Sequence, residues 1–404
     1  MSGKKDIVII GSSFAGLTAA FDVKRLIGDR TEVTVITKSP LFTFIPSLIW
    51  YTQGWRQQQD ITFALEPAYQ KRGIKTVVAE AIAISPEQGI VHTTKSNVPF
   101  DYLIIATGPY WNFEAITGLG PHHGHTQSIC NLEHAQSSRQ AWIEYLKNPG
   151  PVVVGAAQGA SCFGAAYEFV LNIEQALRRE GLRQQASVSF FTSEPFAGHF
   201  GLGGVGKSKQ LLPKFFAQRG IEYKENIAIE SITEDTIHFN DGSKLPFKYA
   251  MIIPPFKGTE VVRNSPGVGN TMGWVEVEGT YRHKTYPNIY AAGVAVAVAP
   301  PQQTPIPTGV PKTGYMSEVM GRTAAHNIAA DIKNEKPVLL PPTELPALCM
   351  LDAAKGGILM SVDKLYPDKR KREILLPSYA IHAGKIAFEK YFLWKCRTGR
   401  TNLP

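Results

Sequence analysis

Long apolar runs and paired cysteines are both missing from this chain. Only four cysteines occur among its 404 residues, and none belongs to a Cys-x-x-Cys pair. Cysteines so few and so scattered form neither a disulfide framework nor a zinc site, and no metal is expected. No stretch of about eighteen consecutive apolar residues occurs, so we expect no transmembrane helix, and the polar residues 1–5 do not resemble a secretory signal.

The chain also lacks a balance of charge, because its formal net charge is +8. A basic chain is compatible with nucleic acid, an anionic membrane, an anionic cofactor, or a basic surface without a dedicated partner. No segment resembles a nucleic-acid-binding motif, and basic residues concentrate near the C terminus. We therefore expect no nucleic-acid partner.

Apolar runs followed by glycines indicate an α/β architecture. Residues 6–10 are predicted as a buried strand, 17–26 as a helix and 32–36 as a second strand, the opening of a dinucleotide-binding fold. The pattern restarts near residue 149, so a second unit is inserted into the first. We predict two interleaved Rossmann-like dinucleotide-binding domains and a C-terminal amphipathic membrane-associating region.

The predicted boundaries follow from where this pattern stops and resumes. The first domain comprises residues 1–110 and 275–335, the second comprises 111–274, and the C-terminal region comprises 336–404. The second domain contains Cys130 and Cys162, and the C-terminal region contains Cys349.

The first predicted turn between strand and helix carries a glycine-rich motif, Gly11-Ser12-Ser13-Phe14-Ala15-Gly16. In such a turn Gly11 takes the tight bend, Gly16 lets the helix pack closely, and the helix N-terminus offers N–H groups to a pyrophosphate. Ser13 stands where a second glycine is usual, but it is small enough for backbone to approach phosphate. The motif predicts a dinucleotide site, and the alternative is a purely structural turn.

The acidic residue that usually binds the adenosine ribose is missing, because the second strand ends at Thr37 and Lys38. The Thr37 hydroxyl can hydrogen-bond a ribose, although less strongly than a carboxylate. The contacts to adenosine therefore stay open, and the fold prediction does not depend on them.

Two further segments complete a flavoprotein pattern: Ala-Thr-Gly, which ends at Gly108, and Tyr-Ala-Ala-Gly, which ends at Gly293. With the N-terminal motif they resemble the two-dinucleotide-domain flavoproteins of the glutathione-reductase type. This resemblance implies FAD as the cofactor, although Val294 stands where those proteins usually have aspartate. The implied contacts in these segments are Thr107, Gly108, Pro109, Gly293 and Val294.

The second unit departs from a nicotinamide-binding site. Its glycine loop begins at Gly155 and has Ala157 where a second glycine is expected. Glu194, after the next strand, can still take the place of the ribose-binding acid, so NAD is not excluded. Cys162 is predicted in the first helical turn, where the helix dipole favours a thiolate, and the alternative is a buried packing cysteine.

Five segments carry a more specific resemblance: residues 127–135, 159–169, 192–201, 307–320 and 387–392. They resemble the bacterial sulfide:quinone oxidoreductases, and the similarity covers essentially the whole chain in order. The resemblance implies that Cys162 and Cys349 are the redox pair beside the flavin. Cys130 resembles a third family cysteine, which is attached to the flavin in some members and dispensable in others. Cys396 has no counterpart, so we expect it to be buried packing.

The resemblance also implies a chemistry. Hydrosulfide attacks a sulfur bridge between Cys162 and Cys349, which leaves a persulfide on one cysteine and a thiolate on the other, and electrons pass to the flavin. Glu168 is implied to act as a base, and His134 and His199 to handle protons near the sulfide path. For each histidine the alternative is a hydrogen-bonded residue of core or surface.

Lys312 and the helix that follows Gly314 are implied to lie near the flavin. A lysine and a helix N-terminus there stabilise the negative charge of the reduced ring. The alternative is a lysine in a proline-rich loop that faces solvent.

The segment 377–400 mixes bulky apolar residues with lysine and arginine, and the basic run 369–372 precedes it. This mixture predicts an interfacial helix on an anionic lipid bilayer, and the alternative is a helix packed on the FAD domain. The resemblance implies a peripheral protein of a bacterial inner or thylakoid membrane, with a membrane quinone in a pocket on the other flavin face. The implied quinone contacts are Lys385, Phe388, Tyr391 and Phe392.

Three other functions remain as alternatives. A type II NADH:quinone dehydrogenase-like flavoprotein has the same fold and acceptor, but the altered second loop and the cysteine pair argue against it. A flavocytochrome-type sulfide dehydrogenase is disfavoured by the lack of a secretory signal. A basic protein with a non-catalytic Rossmann core is the third. The sequence leaves open whether the chain forms a homo-oligomer.

Overall fold

Two parallel sheets organise the chain in the computed structural model, which describes residues 4–403. The first sheet contains, in spatial order, β19 (Ile289–Ala291), β9 (Tyr102–Ile105), β1 (Lys5–Ile10), β2 (Thr31–Thr37) and β5 (Ile74–Val78). The second contains β13 (Ile221–Lys224), β12 (Val188–Thr192), β11 (Val152–Ala156) and β17 (Tyr249–Ile253). The central strands are mostly buried, as is usual for parallel sheets covered on both faces, while the edge strands β5 and β13 are partly exposed.

Antiparallel sheets and short pairs complete the strands. The small sheets are β6 (Ala81–Ser85), β7 (Ile90–Thr93) and β8 (Asn97–Pro99); β14 (Ile229–Ile232), β15 (Thr236–Phe239) and β16 (Lys244–Pro246); and β20 (Ala347–Asp352), β21 (Gly357–Val362) and β22 (Glu373–Ser378). The pairs are β3 (Leu41–Thr43) with β4 (Thr62–Ala64), and β10 (Tyr110–Trp111) with β18 (Phe256–Lys257).

The helices are α1 (Phe14–Ile27), α2 (Leu48–Thr52), α3 (Gln58–Ile61), α4 (Leu65–Gln70), α5 (Leu132–Lys147), α6 (Phe163–Arg179), α7 (Ser208–Arg219), α8 (Glu260–Arg263), α9 (Gly314–Lys333) and α10 (Ala380–Arg397). The helix predicted over 17–26 begins earlier, at the phenylalanine of the glycine-rich motif, so the motif's last glycine lies inside α1.

The chain repeats one arrangement twice. In each half, a strand, a helix and a second strand lead to a third parallel strand, then to a three-stranded meander, and then to a fourth parallel strand. The spatial orders are β9-β1-β2-β5 in the first half and β17-β11-β12-β13 in the second, and β19 extends only the first. The predicted α/β fold, with parallel sheets typical of dinucleotide-binding domains, is confirmed.

Glycines allow α1 to pack closely against its neighbours. Gly11 has φ +105°, and a Cβ atom there would overlap the carbonyl of Ala106 at the end of β9. A Cβ atom at Gly16 would overlap the Gly11 carbonyl, and one at Gly321 of α9 would overlap the backbone of Ala15. Backbones this close leave no room for any side chain at these positions.

The C-terminal region packs as part of the core. β20 lies against α6, and α10 crosses β20 and β21. Phe392, Leu393 and Cys396 of α10 are buried, so the apolar side of this helix faces protein. No helix within residues 4–403 is long and apolar enough to cross a membrane.

Two helical glycines provide a matched test of the packing between α1 and α9. We expect Gly321→Ala to lower the free energy of unfolding by about 1–3 kcal/mol, because the added methyl group overlaps backbone that cannot yield. Gly384→Ala, in α10, should raise it by up to about 1 kcal/mol, because nothing lies within 4 Å of the new Cβ atom and alanine favours helix. Urea unfolding of both variants measures the difference. Equal effects would contradict the close approach.

Candidate active site

Three cysteines from distant parts of the sequence lie near one another. Cys162 is the N-cap residue of α6, Cys349 lies in β20, and Cys130 precedes α5. The Cys349 sulfur lies 3.8 Å from where a Cβ atom at Gly164 would stand, so it is in van der Waals range of the first turn of α6. Cys162 raises the pKa of both other thiols, which also places the three groups together.

Burial makes these thiols weaker acids than a free cysteine. It raises the pKa of Cys130 and of Cys349 to about 12, and it also raises the pKa of Cys162. The backbone N–H of Ala165 works in the opposite direction at Cys162, but desolvation is the larger effect. Desolvation therefore opposes the thiolate that the helix dipole is expected to favour at Cys162, and that expectation stays a prediction.

A buried ion pair lies beside the thiols. The Glu168 carboxylate of α6 bonds the Lys385 ammonium of α10, and both side chains are almost fully buried. Burial raises the pKa of Glu168 to about 7, although Lys385 acts to lower it. The Lys385 ammonium also lies 4.9 Å from the ring centre of Trp50. The resemblance implied that Glu168 acts with the cysteines and that Lys385 contacts quinone on the other flavin face. In the structure these two residues are paired with each other.

Buried Asp352, also in β20, was missed by sequence reasoning. Its carboxylate accepts hydrogen bonds from the Trp50 indole at 2.9 Å and from the Ala354 N–H at 3.1 Å, and it lies 2.8 Å from Nδ1 of His382. Asn172 of α6 donates to the Asp352 carbonyl at 2.8 Å and so ties helix to strand. No local motif marks this residue, because its partners come from separate parts of the chain.

The two predicted histidines lie in aromatic surroundings. His134 packs edge-on against the rings of Trp111, Phe113 and His122, and His199 packs edge-on against Phe196. Burial lowers the pKa of each to about 4, so both are neutral near pH 7. Nε2 of His199 lies 3.1 Å from the Gln302 amide. Their assignment to the sulfide path stays a prediction.

The first β-α turn fits a dinucleotide. Phe14, the first residue of α1, packs against Gly314, the first residue of α9, so two positively polarised helix N-termini lie side by side. Gly293, at φ +72°, approaches Ala15 so closely that its Cβ atom would stand 3.0 Å from the alanine methyl group. Open N–H groups and missing side chains at this place are what a pyrophosphate requires.

The remaining predicted contacts lie around this turn. Thr107, Gly108 and Pro109 follow β9, and Val294 lies in the short turn after β19. These strands end at the same edge of the sheet as β1, because all of them run parallel. The Thr107 hydroxyl accepts a hydrogen bond from the Thr259 hydroxyl at 3.0 Å and donates to the Gly108 carbonyl at 3.5 Å.

The end of β2 differs from the expected ribose site. The Thr37 hydroxyl lies 2.7 Å from that of Ser12 and donates to the Ser39 carbonyl, so it is already engaged. Lys38 forms an ion pair with Glu80 at 2.5 Å, just beyond β5. Glu80 thus brings a carboxylate to the edge of the sheet where the end of β2 lacks the usual acidic residue. Its position there is evident only from the pairing of β2 with β5.

Lys312 lies directly before α9. Its ammonium donates to the Val296 carbonyl at 2.8 Å and stands 4.4 Å from the ring centre of Trp274. Burial lowers the pKa of Lys312 to about 7. The Thr313 side chain caps the helix. The alternative of a solvent-facing lysine is excluded.

The four predicted quinone residues all lie on α10 and have different neighbours. Phe392 is buried against Phe14, with ring centroids 5.1 Å apart, and Phe388 lies beside it at 5.8 Å. Tyr391 is near Trp394 at 6.0 Å, and Lys385 is held by the buried carboxylate described above. The structure therefore brings the two phenylalanines together beside the first β-α turn, while Lys385, on the same helix, directs its ammonium to Glu168.

The second unit has no open ribose site. Glu194 is fully buried and accepts hydrogen bonds from Tyr167 and Thr192, each at 2.6 Å, and from the N–H of Phe200. The expectation that Glu194 can bind a nicotinamide ribose is wrong, because its carboxylate points into the core. Ala157 is also fully buried.

Comparison with known proteins agrees with this geometry. A family model described as pyridine nucleotide-disulphide oxidoreductase matches residues 5–177. The sulfide-quinone reductase of Aquifex aeolicus is 38% identical over 98% of this chain and 92% of that protein, and its X-ray structure superposes with a TM-score of 0.93. A type II NADH:quinone oxidoreductase of Staphylococcus aureus is 21% identical over 91% of this chain and 92% of its own. The chain therefore belongs to the sulfide-quinone reductase family.

Proposed function

We propose that this flavoenzyme oxidises sulfide to zero-valent sulfur or polysulfide and passes the electrons through FAD to a membrane quinone. The observation that carries the proposal is the meeting of Cys162 and Cys349 beside the buried pair of Glu168 and Lys385. Two sulfur atoms are needed because sulfide must lose two electrons, and a sulfur bridge accepts them by exchange. Bound FAD supplies a two-electron acceptor.

The steps in the proposal use side chains of this chain. Hydrosulfide attacks the bridge between Cys162 and Cys349; one S–S bond forms, one breaks, and a persulfide and a thiolate result. Glu168 accepts the proton that the persulfide loses, because burial raises the pKa of its carboxyl to about 7 and so makes it a stronger base than a free glutamate. We assign Cys130, His134 and His199 to the surroundings of this path, as the family resemblance implies.

The FAD site in the proposal lies in the first domain, 1–110 with 275–335, while the second domain, 111–274, and residues 336–404 supply the cysteines. The α1 N-terminus and the glycines around it hold the pyrophosphate. Lys312 and the α9 N-terminus lie where positive charge stabilises a reduced flavin. The close approach of the two helices supports this assignment.

We further propose that the protein is peripheral to a bacterial inner or thylakoid membrane. Four apolar side chains near the C terminus are exposed: Ile374, Leu376, Tyr379 and Trp394. The basic run 369–372 adjoins them in sequence. Apolar and cationic groups together favour an anionic bilayer surface. Phe388 and Phe392, on the helix that follows, would then line the path of a quinone, with Lys385 and Tyr391 nearby.

A first test compares electron donors under anaerobic conditions. We expect sulfide to bleach the flavin absorbance and an equal concentration of NADH to leave it unchanged, because the second unit lacks an open ribose site. Cys162→Ser should slow bleaching by sulfide about a thousandfold, since no bridge can form. Cys396→Ala, a buried cysteine outside the site, is the control. Bleaching by NADH at the sulfide rate would favour a type II NADH:quinone dehydrogenase instead.

A second test addresses the acidity of the thiols. In the reduced protein at about pH 8, we expect iodoacetamide to alkylate Cys130, Cys162 and Cys349 at least about tenfold more slowly than in the same protein unfolded in denaturant. The reason is that burial raises the pKa of each thiol. Mass spectrometry of the peptides measures each rate. Rapid labelling of Cys162 in the folded protein would mean that the helix dipole outweighs desolvation after all.

A third test concerns the bilayer. The triple variant Ile374→Ser, Leu376→Ser and Tyr379→Ser should bind anionic liposomes at least about tenfold more weakly, because it removes apolar area from the contact. A control triple variant changes exposed apolar residues elsewhere: Ile82→Ser, Leu339→Ser and Met272→Ser. Sedimentation with liposomes gives the bound fraction. If both variants bind as the unmodified protein does, this face does not contact lipid.

A further inference from the structure

A buried cluster of charges surrounds Glu168, and only part of it is used by the chemistry above. Lys385 of α10 pairs with the Glu168 carboxylate, and the backbone N–H of Asp352 also donates to it. Cys162 and Cys349 complete its surroundings. Asp352 itself is fully buried, and its negative charge makes Glu168 harder to ionise.

The charges in this cluster do not balance without a proton. When Glu168 is ionised, the two carboxylates of Glu168 and Asp352 face one ammonium, that of Lys385. A buried excess of one negative charge is costly, so a proton is favoured on some member of the cluster. Two groups can take it: Glu168 on the inside, or the imidazole that adjoins Asp352.

His382 is that imidazole, and it lies at the edge of the cluster. Its Nδ1 atom lies 2.8 Å from the Asp352 carboxylate, its side chain is 30% exposed, and its ring meets Trp50 edge-on. The next charged groups are paired with others: Arg56 lies over the Trp50 ring and bonds Glu389 of α10 at 2.9 Å. Arg219 donates to the Ala353 carbonyl at 3.4 Å and pairs with buried Glu174 at 3.2 Å. His382 is therefore the partly exposed side chain through which Asp352 adjoins the surface.

We propose that His382, acting through Asp352, is a positioning residue that keeps Glu168 ionised and ready to accept the proton that the persulfide loses. A proton on His382 neutralises Asp352, and the Glu168 carboxylate then faces only the Lys385 ammonium. When His382 is neutral, the charge of Asp352 is uncompensated, and Glu168 holds its own proton more tightly. His382 thereby extends the base function of Glu168 toward lower pH. This inference rests on the proposed function only for the role of Glu168 as the base.

The sign of each substitution follows from charge. In His382→Gln no proton can neutralise Asp352, so the pKa of Glu168 rises and the carboxylate is lost at higher pH than in the unmodified protein. In His382→Lys the positive charge is permanent, so the pKa of Glu168 falls. In Asp352→Asn the repelling charge is gone, and the pKa also falls. A role confined to packing would not give opposite shifts for two changes at one partly exposed position.

The first experiment needs no turnover. In the FAD-loaded protein without sulfide, the infrared C=O band of protonated Glu168 is identified by its loss in Glu168→Gln and followed against pH. We expect its midpoint to move up in His382→Gln and down in both His382→Lys and Asp352→Asn. His238→Gln, in the distant β15, should leave it unchanged. Shifts of equal sign at position 382, or no shift, would overturn the coupling.

The second experiment measures flavin reduction by sulfide in a stopped flow. At about pH 6, His382→Gln should be about threefold to tenfold slower than the unmodified protein, and at about pH 9 the two rates should agree, because Glu168 is ionised in both. Rates compared at one pH cancel the titration of sulfide itself. A uniform loss at every pH would overturn the role in proton affinity. If sulfide fails to reduce even the unmodified flavin, the proposed function fails, while the infrared shifts still decide the coupling.

Discussion

The ion pair between Glu168 and Lys385 is the interaction on which the site depends. Removing two charges from water costs several kcal/mol for each ion, so the pair is tolerable only when both partners are held together. Its partners lie on α6, which follows Cys162, and on α10, which also carries Phe388. Loss of either charge would leave the other buried and unpaired. The geometry of the thiol site therefore depends on the position of the C-terminal helix, and the position of the helix depends on the thiol site.

The two halves of the chain share a strand order but not a ligand site. In the first half, glycines leave the helix N-terminus open, and a phosphate can approach backbone N–H groups. In the second half, Ala157 is buried and the Glu194 carboxylate is consumed by internal hydrogen bonds. The corresponding helix N-terminus is capped by Cys162. The same backbone thus offers a phosphate cradle in one half and positions a sulfur atom in the other.

Local patterns predicted the strands, the duplication and the glycine-rich turn, because each depends on residues that are near in sequence. The meeting of Cys162 with Cys349 has no local signal, and only resemblance to a family suggested it. The desolvation that opposes a thiolate at Cys162 also has no local signal, because it depends on β20, which lies much later in the chain. Asp352 and His382 were missed for the same reason: their partners are distant in sequence. The sequence shows that α10 is amphipathic, but it does not show which of the helix's lysine and arginine side chains are buried.

The packing of Phe392 on Phe14 also constrains how the protein is made. These rings stand at positions 14 and 392, and the first lies in the first β-α turn. A ribosome has to deliver the whole intervening segment before the second ring can reach its place. This turn is thus completed much later than it is synthesised, and a nascent chain arrested before α10 lacks part of its packing.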